Sequence, residues 1–181
     1  MKTLLIGFKP YASHTSNPTE EVINRFSRPN VKGVVLNVTY EDALKVREIV
    51  EAEKPDCVIT MNLSPFRSKP ALEEYAYNDM NSIQPDEAGV IKSGEPILED
   101  GPKSLNSILD IPSMQRYVSS CGSELAISID PGRFVCNVVS YLVRLSGIPS
   151  ISMHLPLDKD FPIEEDIEVI EHLIDFVESG R

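Results

Sequence analysis

Apolar residues fall in short unbroken runs that alternate with stretches in which they recur every three to four positions. Thr3–Phe8 is almost wholly apolar and stops at Gly7-Phe8-Lys9-Pro10, the pattern of a strand buried on both faces. A polar loop, Tyr11–Ser16, leads to Asn17-Pro18-Thr19-Glu20. Those four residues supply an N-cap, a proline at the first helical position and an acid at the third. The helix they open is predicted to reach about Arg28, with Val22, Ile23 and Phe26 inward. A turn at Asn30–Gly33 precedes a second strand, Val34–Val38. Thr39-Tyr40-Glu41-Asp42 caps a second helix, whose apolar face is Ala43, Val46, Ile49 and Val50 and which Pro55 ends. Cys57–Leu63 is a third strand. This β-α-β-α-β succession predicts a parallel sheet with covering helices.

The pattern lapses from Ser64 to Asp110, where Pro65, Pro70, Pro85, Pro96 and Pro102 mix with Gly89, Gly94 and Gly101. A structureless stretch of that length does not suit a compact domain, so short strands and functional loops are expected, with Leu72–Asn78 and Gly89–Lys92 as strand candidates. Periodicity returns in a helix around Ser113–Ser120. The apolar run Leu125–Ile129 then stops at Asp130-Pro131-Gly132, and Phe134, Val135, Val138, Val139, Leu142, Val143 and Leu145 predict a buried helix closed by Gly147-Ile148-Pro149. Ser150–Leu155 is a further strand. Ile163, Ile167, Ile170, Ile174 and Val177 stripe one face of a last helix whose other face is acidic, most simply solvated. The expectation is a single α/β domain over residues 1–181: an open, twisted, mostly parallel sheet flanked by helices on both faces.

Composition narrows the partners. The 181 residues are 41% hydrophobic and 25% charged, with a formal net charge of −11, which argues against nucleic acid or an anionic membrane. The apolar run at Met1–Ile6 is too short for a signal-peptide core, and no stretch approaches a membrane span. Cys57, Cys121 and Cys136 show neither a disulfide framework nor metal-ligand spacing, so a reducing, cytoplasmic setting without a metal site is expected.

The chemistry concentrates beside the buried helix. Cys136 falls in its first turn, where free backbone N–H groups and the positive end of the helix dipole favour a thiolate and can hold an oxyanion. A small buried residue in an apolar helix is the alternative reading. Of three histidines, His172 lies next to the stripe of the last helix and His14 in a polar loop. His154 ends a predicted strand, at the sheet edge where ligands bind in open α/β sheets. Cys136 and His154 can meet there as nucleophile and base. Glu73, Glu74, Asp79, Asp86 and Asp100 are all candidates to orient the imidazole, and spacing does not choose among them. No phosphate loop is present.

Ser128–Asn137, SIDPGRFVCN, resembles the cysteine-site motif of the pyroglutamyl peptidase I (pyrrolidone-carboxylate peptidase) family. Four further segments resemble that family in the same order: Gly7-Phe8-Lys9-Pro10-Tyr11 with Asn17-Pro18, Leu72–Asn78, Pro85-Asp86 with Glu99-Asp100-Gly101-Pro102, and His154-Leu155-Pro156. The resemblance implies a cofactor-independent cysteine peptidase acting on peptides with an N-terminal pyroglutamyl residue. Cys136 would be the nucleophile, His154 the base and Glu73 its orienting group. Phe8, Tyr11, Phe134 and Val135 would form the pyroglutamyl pocket, Asn17 would support its loop, and the chain would assemble as a homo-oligomer, often a tetramer in that family. The departures are local. The family's G-L-A-G-G-R is here Asn62-Leu63-Ser64-Pro65-Phe66-Arg67, Glu74 replaces a basic residue, Pro131 a small one, and Ile83 an arginine expected near the reacting carbonyl. They leave room for a related hydrolase with another substrate, or a binding relative without turnover. Arg67 is a candidate to compensate for Ile83.

Overall fold

The computed structural model describes residues 1–180. Its centre is a six-stranded sheet in the order β2-β1-β3-β10-β4-β9. These strands are β1 (Thr3–Phe8), β2 (Val31–Leu36), β3 (Cys57–Leu63), β4 (Ala71–Glu73), β9 (Ala126–Ser128) and β10 (Ser150–Leu155). Every pairing is parallel except β10 with β4. β1, β3 and β10 are buried along their whole length, as two-sided coverage of a parallel sheet requires.

The helices divide between two apolar layers. α1 (Pro18–Arg25), α4 (Ile111–Ser120) and α6 (Ile163–Glu178) pack on one face through Val22, Met114, Val118, Ile170 and Leu173. α2 (Tyr40–Leu44), α3 (Val46–Glu53) and α5 (Val135–Leu145) pack on the other through Ala43, Val46, Val50, Val138, Val139 and Leu142. The expected α/β architecture is therefore present. The acidic face of α6 is not purely solvated: Glu164, Asp175 and Glu178 pair with Arg25 and Arg28.

Element boundaries differ from the sequence pattern where pairing or capping outweighs it. The first helix stops at Arg25, because Phe26 turns extended and places its N–H on the Val22 carbonyl at 2.8 Å. β2 begins at Val31 and not Val34, since pairing with β1 recruits Lys32 and Gly33. Gly33 is required there: a Cβ would stand 2.4 Å from Cγ2 of Ile23 on α1. The single helix expected after Thr39 is two, because Lys45 closes α2 with a tightened turn. The Thr39 hydroxyl accepts the Asp42 N–H at 3.1 Å, as the capping pattern predicts.

The middle segment shows the largest correction. Leu72–Asn78 is not one strand. β4 leaves the main sheet at Glu74, and β5 (Tyr75–Tyr77) pairs with β8 (Ser104–Asn106). Gly89–Lys92 is not a strand either. Asp86 folds it into a turn, its Oδ1 accepting the N–H groups of Ala88 and Val90 at 2.9 and 2.8 Å. The strand pair lies beside it, β6 (Met80–Asn81) with β7 (Ser93–Glu95). Among the described residues, no helix is long and apolar enough to cross a membrane.

Candidate active site

Sheet order brings the chemistry together. β10 lies between β3 and β4, so His154 near its end stands beside Asn62 on one side and the Ala71–Glu73 segment on the other. α5 starts above this edge. Its first turn is set by the Asp130–Arg133 turn, in which Gly132 takes φ +77° and donates its N–H to Asp130 Oδ1 at 3.0 Å, a conformation that a Cβ disfavours. Asn137, fully buried, then fixes the helix start. Its Oδ1 accepts the Tyr77 N–H at 2.8 Å, and its Nδ2 donates to the Tyr77 and Asp79 carbonyls.

Cys136 Sγ lies 3.8 Å from His154 Nε2 and 3.9 Å from the Pro131 carbonyl oxygen. His154 Nδ1 lies 2.8 Å from Glu73 Oε1. Of the five acids open on spacing, Glu73 is the one at the imidazole. Its carboxylate has no solvent exposure, and Oε1 also accepts from Arg67 Nη2 at 3.1 Å. Burial opposes charge on the ring of His154. The hydrogen bonds and negative charges of Cys136 and Glu73 outweigh it and push the imidazole up to about 9. A protonated ring donates from Nδ1 to Glu73 and from Nε2 toward the sulfur. An imidazolium beside a cysteine at a helix N-terminus is the arrangement that activates a thiol nucleophile.

Cys136 opens on a narrow cleft of about 30 Å³ lined by Phe8, Tyr11, Asn17, Asn62, Phe134 and Val135 among others. All five binding residues expected from the sequence therefore border one space. Phe8 ends β1, Phe134 and Val135 are the N-cap and first residue of α5, and the Tyr11 and Phe134 rings lie 6.3 Å apart. Burial, reinforced by the nearby Cys136 charge, pushes the Tyr11 phenol up to about 12, which keeps it neutral. Asn17 caps α1 by accepting the Thr19 N–H at 3.0 Å and holds the loop that precedes the helix by donating to the Lys9 carbonyl at 3.0 Å. A larger cavity of about 590 Å³ lies between α3 and the end of α5. It holds no histidine or cysteine, so the chemistry and not the volume marks the site.

A sequence model of the pyroglutamyl peptidase family matches residues 1–154. The chain belongs to the pyroglutamyl peptidase family. The pyrrolidone-carboxylate peptidase of Pyrococcus furiosus is 32% identical over 168 residues, covering 86% of this chain and 81% of the relative. That of Vibrio parahaemolyticus is 31% identical over 166 residues, covering 86% and 78%. Among solved structures, pyrrolidone carboxyl peptidase from Thermococcus litoralis superposes with a TM-score of 0.89 at 26% identity, covering all of this chain and 97% of the other. The Pyrococcus furiosus enzyme gives 0.90 at 26%, with 99% of each chain covered.

The remaining candidates fall outside the Cys136–His154 contact. His14 packs on Tyr11 with ring centroids 5.8 Å apart, and His172 Nδ1 lies 3.2 Å from the Ser123 hydroxyl. Ile83 is 98% exposed on an open groove beside Tyr11, Arg133 and Phe134. Arg67 is engaged with Glu73 and the Ser128 hydroxyl, so its guanidinium is not a free replacement for the missing arginine. Sequence reasoning passed over Arg144. This buried residue of α5 donates to the carbonyls of Glu73, Glu74 and Leu105 at 2.6–2.9 Å, and burial pulls its guanidinium down to about 10. A cation in the last turn of an otherwise apolar helix was the signal available.

Proposed function

We propose that this chain is a cysteine peptidase that removes an N-terminal pyroglutamyl residue from peptides, with Cys136 as nucleophile, His154 as acid and base, and Glu73 as the group that orients the ring. The observation that carries the reading is the unbroken contact from Sγ through the imidazole to a buried carboxylate. Its membership of the pyroglutamyl peptidase family supports the same substrate.

The thiolate of Cys136 attacks the carbonyl joining pyroglutamate to the next residue. The oxyanion forms near the first-turn N–H groups of α5, which have no carbonyl four residues earlier within the helix. Collapse breaks the amide bond as His154 gives its Nε2 proton to the leaving amine. Neutral His154 then takes a proton from water, whose oxygen attacks the thioester and releases pyroglutamate. A flat, uncharged lactam suits the faces of Phe8, Tyr11 and Phe134. The cleft holds only a few waters' volume, so Tyr11 and Phe134 part to admit the ring.

The chain acts as one domain in the cytoplasm, takes small peptides and no nucleic acid, membrane, metal or cofactor, and assembles as a homo-oligomer. Hydrolysis of a fluorogenic pyroglutamyl amide, lost in Cys136→Ala, tests the reading. Absence of turnover together with retained pyroglutamyl-peptide binding would favour a binding relative. Turnover of another acyl group only would favour a different hydrolase.

A further inference from the structure

Glu73 poses an electrostatic problem that the three reacting residues do not solve. Its carboxylate is fully buried, and among the described residues Oε2 has no hydrogen-bond partner. Both of its hydrogen bonds therefore converge on Oε1, one from His154 Nδ1 at 2.8 Å and one from Arg67 Nη2 at 3.1 Å. His154 is charged for only part of the cycle just described. When it is neutral, a buried carboxylate needs another cation.

Arg67 is built to be that cation. It leaves the β3–β4 loop and also donates from Nη2 to the Ser128 hydroxyl at 2.9 Å. Ser128 is the register partner of Glu73 on β9, so the guanidinium bridges two neighbouring strands and cannot swing away without breaking both bonds. The Arg67 side chain is 28% exposed, so one side of the guanidinium stays hydrated while the other meets the carboxylate. We propose that Arg67 is a positioning residue of the catalytic array, fixing the Glu73 carboxylate against His154 and offsetting its charge. The proposal rests on the reading of Cys136, His154 and Glu73 given above.

The charge environment gives the sign of the effect. His154 on β10 faces Cys136 from α5 and Glu73 from β4. Glu73 faces Arg67 from the loop and Arg144 from α5, while Tyr11 and Tyr40 feel the Cys136 charge. Removing the Arg67 charge leaves more of the carboxylate's field on the imidazolium, so the ring holds its proton more tightly and becomes a weaker acid toward the leaving amine.

The test is to follow the His154 ring by NMR against pH and to measure kcat/KM on a pyroglutamyl amide against pH. The wild-type protein, Arg67→Gln and Arg67→Lys are compared at a temperature where each is folded by circular dichroism. Arg67→Gln is expected to move the His154 titration and the basic limb of the rate profile up by roughly 0.5–1 unit and to lower kcat/KM roughly tenfold. Arg67→Lys keeps the charge, so it should keep the titration and recover most of the rate. A purely structural Arg67 would lower the rate or the melting temperature without moving the titration, and that result overturns the proposal. If Arg67→Gln does not fold, Arg67→Lys decides: an unmoved titration with most of the turnover kept supports the proposal, and a moved titration or turnover lowered by roughly tenfold or more contradicts it. The NMR arm needs no substrate, so an inactive wild-type protein would defeat the peptidase reading while this arm still judged Arg67.

Discussion

Cysteine chemistry separates the residue-level claims. Cys136 stands beside the His154 ring, Cys57 is buried with its thiol pushed up to about 12 by burial, and Cys121 is exposed on the surface. Iodoacetamide at about pH 6, well below the ~8.5 of an ordinary thiol, is expected to label Cys136 and to spare Cys57 and Cys121. Peptide mapping by mass spectrometry reads the result, and label on Cys121 alone would count against an activated Cys136. Ile83 bears on turnover. Its exposed side chain neither donates a hydrogen bond nor carries charge, and loss of one oxyanion donor costs on the order of 10²–10³ in turnover. The unmodified protein should be slow and Ile83→Arg faster by on the order of tenfold or more, with an unchanged melting temperature. Equal rates would show that Ile83 is neutral.

At the scale of elements, α5 organises the site from both ends. Its first turn carries Phe134 to Asn137, and its last turn sends Arg144 back to the Glu73 and Glu74 carbonyls, where β4 passes into β5, and to the Leu105 carbonyl on β8. Arg144→Met keeps the apolar stem but strands three acceptors, so it should destabilise the fold by about 3 kcal/mol in urea unfolding. It should also lower kcat more than it raises KM, because Glu73 shifts with its backbone. A kcat unchanged beside a lowered stability would show that the Glu73 segment is held without Arg144.

The strand–turn–helix around Cys136 was legible because local signals and burial agree there: Gly132 for the turn, an apolar helix after it, His154 at a strand end. The middle segment was not, because its form is fixed by distant partners. Asp86 shapes its turn and also accepts the Tyr40 N–H, while β5 finds β8 nearly thirty residues on. Which acid met His154 was likewise a matter of sheet order, since β4 inserts between β10 and β9. Only the family resemblance singled out Glu73.

Across the whole molecule, pH dependence of stability draws on α6 and on the central sheet. Asp166 at the start of α6 is fully buried, among the described residues neither of its carboxyl oxygens has a hydrogen-bond partner, and burial, helped by Asp158 and Glu165, pushes it up to about 8. A native value above the unfolded one means that the folded chain holds the extra proton. That stability is complete below the unfolded ~3.9 and is lost as pH rises through about 8. His154 has the same sign, complete below ~6.5 and lost as pH rises through about 9. Urea midpoints should therefore fall from mildly acidic to alkaline pH. Asp166→Asn should flatten the acidic part of that slope and stabilise alkaline samples, on the order of 2–5 kcal/mol. An unaltered slope would mean that Asp166 does not bind the proton.

The Cys136 thiolate is expected to react with a pyroglutamyl group seated between Tyr11 and Phe134. The most direct measurement is the site and rate of covalent labelling by a pyroglutamyl chloromethyl ketone, with the prolyl reagent, which lacks the lactam carbonyl, as comparison. One adduct per chain is expected, on Cys136, forming in step with loss of hydrolysis and much faster with the pyroglutamyl than with the prolyl reagent. Equal rates for the two reagents, or an adduct carried by Cys121 with Cys136 unmodified, would contradict it.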